Sequence, residues 1–280
     1  MRIVPPDHGG MCLDGVLPAA AEALGLDPGP ADLPGRGAAA RFDLPAAERV
    51  CVVLVDGLGL EMVTERAGHA PFLRRRLPGA RTLTCSVPST TATSMGVLGT
   101  GRAAGRTAMA GYTVRNPHTG GLANLVSWEG APPPREWQRE PLLLAHLAAQ
   151  TAVTSLGPAK FAGSGMTLAA LDGARYVPAE TLDERVAAAA RALRSPGLAH
   201  LYWGDGDKAG HRYGWRSAPW GDALAELDRG LGLLARSLPA GTLLLVTADH
   251  GMVDVDPPLD VATHPVLAAG VDLVAGEPRA

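Results

Sequence analysis

A chain of 280 residues, 46% of them hydrophobic and 19% charged, has the length and the apolar material for one large domain with a buried core. Its net charge of −3 and pI of about 6.2 offer no basic field for a nucleic-acid polymer or a membrane surface, although a metal can reverse the sign of one pocket and admit a small anion. Three scattered cysteines, Cys12, Cys51 and Cys85, make neither a disulfide framework nor a Cys-rich zinc site.

Residues 1–48 are rich in Pro, Gly and Ala, and "GLDPGPADLPGRG" (25–37) predicts a loop, so this segment is expected to be irregular. Pro5-Pro6 interrupts the N-terminus before an apolar signal region forms, and no apolar stretch approaches the ~20 residues of a membrane helix. A cytoplasmic location is expected. "RVCVVLVD" (49–56) is aliphatic and β-branched and predicts a buried strand, with a helix and loop after it. "PSTTATSMGVLGTG" (88–101) predicts a loop entering a helix that Gly99 and Gly101 end. Residues 102–138, with many Gly and Pro and no period, are expected to be an irregular insert.

A helix at 140–150 and a strand at 152–157 follow. "TLDERVAAAARALRS" (181–195) predicts a helix opened by a Thr181/Glu184 capping box. The strand "GLAHLYW" (197–203), a helix bearing Leu224, Leu227, Leu231 and Leu234 on one face, and the strand "TLLLVTAD" (242–249) complete the pattern. Strands alternating with amphipathic helices predict one α/β domain over 1–280 with a mostly parallel sheet. In such sheets ligands gather beyond the carboxyl ends of the strands.

Three polar clusters lie at those ends. Asp56-Gly57 alone reads as a turn, Asp207 and His211 as a surface pair one helical turn apart, and Asp249-His250 as a polar strand exit. Together they supply three carboxylates and two imidazoles, a donor set that zinc accepts. Three carboxylates crowded without a cation would repel one another, and a divalent ion removes that cost. The segment "VPSTTATSMG" (87–96) adds five hydroxyls between residues 89 and 94 at a helix start. Ser and Thr are ordinary helix caps there, or one of them is a nucleophile beside metal with the helix N-terminus receiving phosphate oxygens. Spacing does not choose among the five.

The order of Asp56, "PSTTATS", "DKAGH" and "TADHG" over roughly residues 48–255 resembles the alkaline phosphatase superfamily, closest to its type I phosphodiesterase/nucleotide pyrophosphatase branch. The resemblance implies a three-layer α/β sandwich and hydrolysis of phosphoric esters, of phosphodiester or nucleotide pyrophosphate type. In that family a Thr begins the helix three residues after the Pro of a P-[ST]-x-T pattern, which selects Thr91 over Thr90 as nucleophile. Two divalent ions, zinc by resemblance, are then implied: one held by Asp56, Thr91, Asp249 and His250, the other by Asp207 and His211. The implied reaction is in-line attack by Thr91 and a phospho-threonine intermediate resolved by water, on a small phosphate ester. A phosphomonoesterase on the same metal core, or an inactive truncated metal-binding domain, are the alternatives.

The sequence departs from the family in two places. The third ligand of the second ion is usually a His well beyond "DHG", and the only later one, His264, falls too early and reads as a loop residue. The C-terminal part of the fold is therefore expected to be missing, with apolar sheet or helix surface exposed where later elements belong. Where the branch often carries an Asn that contacts the phosphoryl group, "AMAGYTV" has Tyr112, a candidate substrate contact or a packing residue. Trp203, Tyr213, Trp215 and Trp220 surround the Asp207–His211 segment as a cleft lining or as core. Ser164 in "FAGSGMT" lacks the spacing of a serine nucleophile and reads as a loop.

Overall fold

A computed structural model describes residues 4–255, 260–261 and 263–276. The strands are β1 (Arg49–Val55), β2 (Thr113–Arg115), β3 (Leu122–Asn124), β4 (Ala152–Gly157), β5 (Arg175–Pro178), β6 (Gly197–Trp203) and β7 (Thr242–Ala248). Five of them form one sheet in the order β5-β4-β6-β1-β7, every pairing parallel. Helices cover both faces, which is the mostly parallel α/β sandwich expected.

The aliphatic run of β1 explains its central place. Val50, Val52 and Leu54 point to one face and Cys51, Val53 and Val55 to the other, all of them buried. Burying each aliphatic side chain contributes about 1.5–3 kcal/mol, so a strand apolar on both faces belongs mid-sheet. The first face packs against the helices Val16–Ala23, Thr91–Thr100 and Leu143–Ala148. The second packs against Leu182–Ala192, which has the expected Thr181/Glu184 capping box, and Ala218–Ser237.

Three local expectations fare differently. The stretch 1–48 contains the helix Val16–Ala23, whose Leu17, Ala19, Ala20 and Ala21 are all fully buried. A helix enclosed on every side shows no polar face for a periodicity argument to find. Within 102–138 the chain forms the β2-β3 hairpin and two four-residue helices, Ala104–Thr107 and Pro134–Trp137. Gly101, with φ of 65°, does cap the Thr91 helix in the left-handed conformation. Gly99 serves packing instead, since a Cβ there would sit 1.7 Å from the Ala170 carbonyl oxygen of the helix Gly165–Ala170.

Ser164 caps that helix by accepting a bond from Thr167 N–H. β7 lies at the sheet edge, half-buried along its whole length. Beside it runs a groove of about 700 Å³, walled by apolar residues such as Phe72, Leu83 and Leu244 and reaching His250. In that groove Leu83 and Leu244 are half-buried and Phe72 is buried. Among the described residues, no helix is long and apolar enough to cross a membrane.

Candidate metal centre

Parallel pairing sets the strand ends level. β1 runs in register with β6 and β7, Val55 opposite Trp203 and Ala248, so the next residues of all three emerge at one edge. Asp56 follows β1 directly and Asp249 follows β7. The helix Asp205–Tyr213 begins two residues after β6 and carries Asp207 and His211 on one side. Gly57 turns the chain at φ of 70° with its α-carbon against Asp207, where a Cβ would lie 3.0 Å from Oδ1. Gly59 and Gly251 meet so closely that a Cβ on Gly59 would lie 2.9 Å from the Gly251 Cα. The Asp-Gly turn is therefore a close-approach point as well as a turn.

Donor atoms of Asp56, Asp207 and His250 all lie within 4.8 Å of one another. His250 Nε2 is 3.4 Å from Asp56 Oδ1 and 3.5 Å from Asp249 Oδ2. Its Nδ1 donates to the Gly251 carbonyl at 2.9 Å, which turns Nε2 toward the carboxylates, the nitrogen that a metal-binding imidazole would offer once its proton is released. Asp249 Oδ1 accepts from Gly57 N–H at 3.0 Å and from His250 N–H at 2.9 Å. Its Oδ2 is buried without a hydrogen-bond partner. His211 Nε2 stands 3.2 Å from Asp207 Oδ1, its side chain 37% exposed, so Asp207 joins the inner group to an outer imidazole.

Thr91 Oγ1 donates to Asp56 Oδ1 at 3.2 Å and lies 3.1 Å from His250 Nε2. Thr90 is the N-cap residue of that helix, yet its side chain makes no capping bond. First-turn N–H groups of a helix lack intrahelical partners, which makes such a start a ready anion site.

Burial, followed by the neighbouring Asp56 charge, pushes the Asp249 carboxyl well above the usual carboxylate range. Burial draws His250 down, but Asp249 and Asp56 outweigh it and raise the imidazole. The protein by itself thus retains protons here to offset crowded negative charge, the role a cation takes over.

Sequence reasoning missed Tyr202, whose hydroxyl donates to Asp56 Oδ2 at 2.5 Å. Burial, then the Asp56 charge, push the phenol well above its usual pKa and keep it a donor. Tyr202 pairs with Leu54 across β6 and β1, so it shares a face with Asp56 two residues on. Only the register reveals that.

Other expectations separate from the site. Trp203, Trp215 and Trp220 are core residues, with Trp215 and Trp220 edge-to-face at 6.1 Å. Of the four aromatic residues only Tyr213 is exposed. Tyr112 is half-buried, and its carbonyl accepts from Leu125 N–H; among the described residues its hydroxyl makes no hydrogen bond to the group. His264 caps the helix Pro265–Ala268 by accepting from Leu267 N–H.

A three-layer α/β sandwich with carboxylates and imidazoles gathered at the carboxyl edge of a parallel sheet is the alkaline phosphatase type of fold. The chain belongs to the type I phosphodiesterase/nucleotide pyrophosphatase family, whose sequence profile matches residues 50–274. Human ectonucleotide pyrophosphatase/phosphodiesterase family member 7 is 39% identical over 64 residues, 21% of this chain and 14% of that one. Murine ectonucleotide pyrophosphatase/phosphodiesterase 5, solved as an inactive threonine-to-alanine variant in complex with AMP, superposes with a TM-score of 0.57 at 19% identity. That match covers 72% of this chain and 57% of the murine one. Phosphonoacetate hydrolase from Sinorhizobium meliloti 1021, in complex with phosphonoacetate, matches with a TM-score of 0.55 at 18% identity, over 74% and 57% of the two chains. The present chain therefore spans little more than half the length of these solved structures.

Proposed function

We propose that this chain carries the core of a metal-dependent phosphoric ester hydrolase that cleaves phosphodiester or nucleotide pyrophosphate bonds, with Thr91 as its nucleophile. The carrying observation is the convergence of Thr91 Oγ1 on Asp56 and His250 at an uncapped helix N-terminus. The inactive threonine-to-alanine variant of the murine relative, which holds AMP, supports a threonine nucleophile and a nucleotide-like substrate.

The donors suit divalent cations. Asp249 Oδ2 has no hydrogen-bond partner despite full burial, and His250 Nε2 is aimed inward. Asp56, Thr91, Asp249 and His250 would hold one ion, and Asp207 and His211 a second. Zinc fits this oxygen and nitrogen set. Such ions, when bound, stabilise phosphoryl charge and ease loss of the nucleophile's proton.

The chain's own residues do the rest. Free N–H groups of the Thr91 helix receive the phosphoryl oxygens and hold phosphorus in line with Oγ1. Thr91 Oγ1, oriented by its bond to Asp56 Oδ1, bonds to phosphorus as the P–O bond to the leaving oxygen breaks, and the Oγ1 proton lost to solvent balances protonation of the expelled alkoxide. Water then attacks the phospho-threonine, its oxygen bonding to phosphorus as Oγ1 leaves, and one water proton returns to Oγ1. Tyr112, where the family often carries an Asn that contacts the phosphoryl group, is proposed to donate its hydroxyl to the substrate.

A second reading is a metal-binding domain that is silent as this chain stands. It is favoured by Asp207 and His211 being one ligand short of the three expected at a catalytic zinc. Incubating the protein and zinc with para-nitrophenyl phosphate, its bis ester and its thymidine-monophosphate ester separates the readings. Turnover of the two diesters above the monoester, abolished by chelation, is expected. Preference for the monoester would point to a phosphomonoesterase, and zinc binding without any turnover to the silent domain.

A further inference from the structure

A second group of ligating side chains lies outside this centre. His8, Cys12 and Asp14 bring an imidazole nitrogen, a thiol sulfur and a carboxylate oxygen within 4.8 Å of one another. His8 Nδ1 is 2.9 Å from Asp14 Oδ2 and 3.8 Å from Cys12 Sγ. Tetrahedral zinc, with bonds of about 2.0 Å to nitrogen and oxygen and 2.3 Å to sulfur, sets its ligands about 3.3–3.6 Å apart, and both His8 separations lie within a few tenths of an ångström of that range.

An ordinary His–Asp pair does not account for the arrangement. Cys12 and Asp14 are fully buried, and among the described residues Asp14 Oδ1 has no hydrogen-bond partner. Leaving a buried carboxylate oxygen unpaired costs roughly 1–3 kcal/mol, more when it is charged, and a cation removes that cost. Gly9 N–H donates to Asp14 Oδ2, and Asp14 N–H faces the Cys12 sulfur, so backbone donors already hold both anionic ligands. We propose that His8, Cys12 and Asp14 form a binding site for one borderline-soft divalent transition metal of the zinc type, separate from the phosphoryl centre.

Binding releases the Cys12 thiol proton to solvent and leaves the His8 ring proton on Nε2 so that Nδ1 can ligate, while the exposed side of His8 admits water as a fourth ligand. The loop is already stitched to Thr84: Leu13 N–H donates to the Thr84 carbonyl, Thr84 N–H to the Met11 carbonyl, and Asp7 N–H to Thr84 Oγ1. Thr84 precedes the segment that leads to Thr91. A metal here would therefore fasten the N-terminal loop to the chain at Thr84.

Cobalt(II) titration of the reduced full chain tests the site independently of activity, because the phosphoryl centre contains no sulfur. A thiolate-to-cobalt charge-transfer band is expected, displaced by zinc, kept in Cys85→Ser and lost in Cys12→Ser. His8→Gln, at an exposed position that folding tolerates, should weaken cobalt binding by about tenfold or more. No such band in the wild-type chain, its survival in Cys12→Ser, or unchanged affinity in His8→Gln would each overturn the site. Loss of catalytic turnover has no bearing on these readings.

Discussion

Tyr202 fixes one oxygen of Asp56 while Thr91 bonds to the other. A carboxylate held at both oxygens is oriented before any ion arrives, and partners of this kind typically govern metal affinity by 10–100-fold. Tyr202→Phe should therefore lower zinc affinity by about that factor while circular dichroism stays native; unchanged affinity would show that Asp56 needs no such support. His200, inside β6, titrates differently. Burial pushes its imidazole down to about 4, with only Ser155 Oγ beside it at 3.1 Å. The unfolded imidazole titrates near 6.5, so the neutral form's stabilising contribution is complete above that pH and is lost as pH falls toward 4, by at most about 3 kcal/mol. Urea midpoints measured across this window should fall steeply in the wild type and less so in His200→Gln. Equal slopes would contradict the assignment.

At the scale of elements, the Thr91 helix is positioned by close backbone contact. Its Gly99 leaves no room for a methyl group against the Ala170 carbonyl, and that neighbour is backbone rather than a flexible side chain. Gly99→Ala should cost about 1–3 kcal/mol and displace Thr91, lowering both stability and any turnover. A neutral effect in chemical denaturation would mean the two helices slide apart freely. β1, β4, β6 and β7 were legible because each is an apolar run bounded by turn residues, and the three strand-end clusters were legible for the same reason. β5 was not, since "RYVP" is four residues long with an arginine and a proline at its ends. The Val16–Ala23 helix was hidden by its all-round burial, and Tyr202 by a role that exists only once β6 aligns with β1. The aromatic residues Trp203, Trp215 and Trp220 left cleft lining and core both open, and the structure gives core.

The molecule as a whole places crowded charge at one edge of an apolar sheet. Asp56, Asp207 and Asp249 cluster there, and burial holds Asp249 toward its protonated form. A zinc ion that binds only the folded chain at one hundred times its dissociation constant would add about 2.7 kcal/mol, several degrees in thermal midpoint. Asp249→Asn keeps an acceptor for the Gly57 and His250 N–H groups but removes the charge. It should match or exceed the wild type in stability without metal and lose most of the zinc-induced rise. A variant less stable without metal and equally responsive to zinc would show that Asp249 is purely structural.

The most direct test compares Thr91→Ala with the wild type for zinc-dependent turnover of a chromogenic phosphodiester, with bound zinc quantified in both. Loss of turnover by at least about a thousandfold is expected, with at least one zinc ion still bound. Turnover at the wild-type rate in Thr91→Ala would remove the hydroxyl from the chemistry and contradict the account.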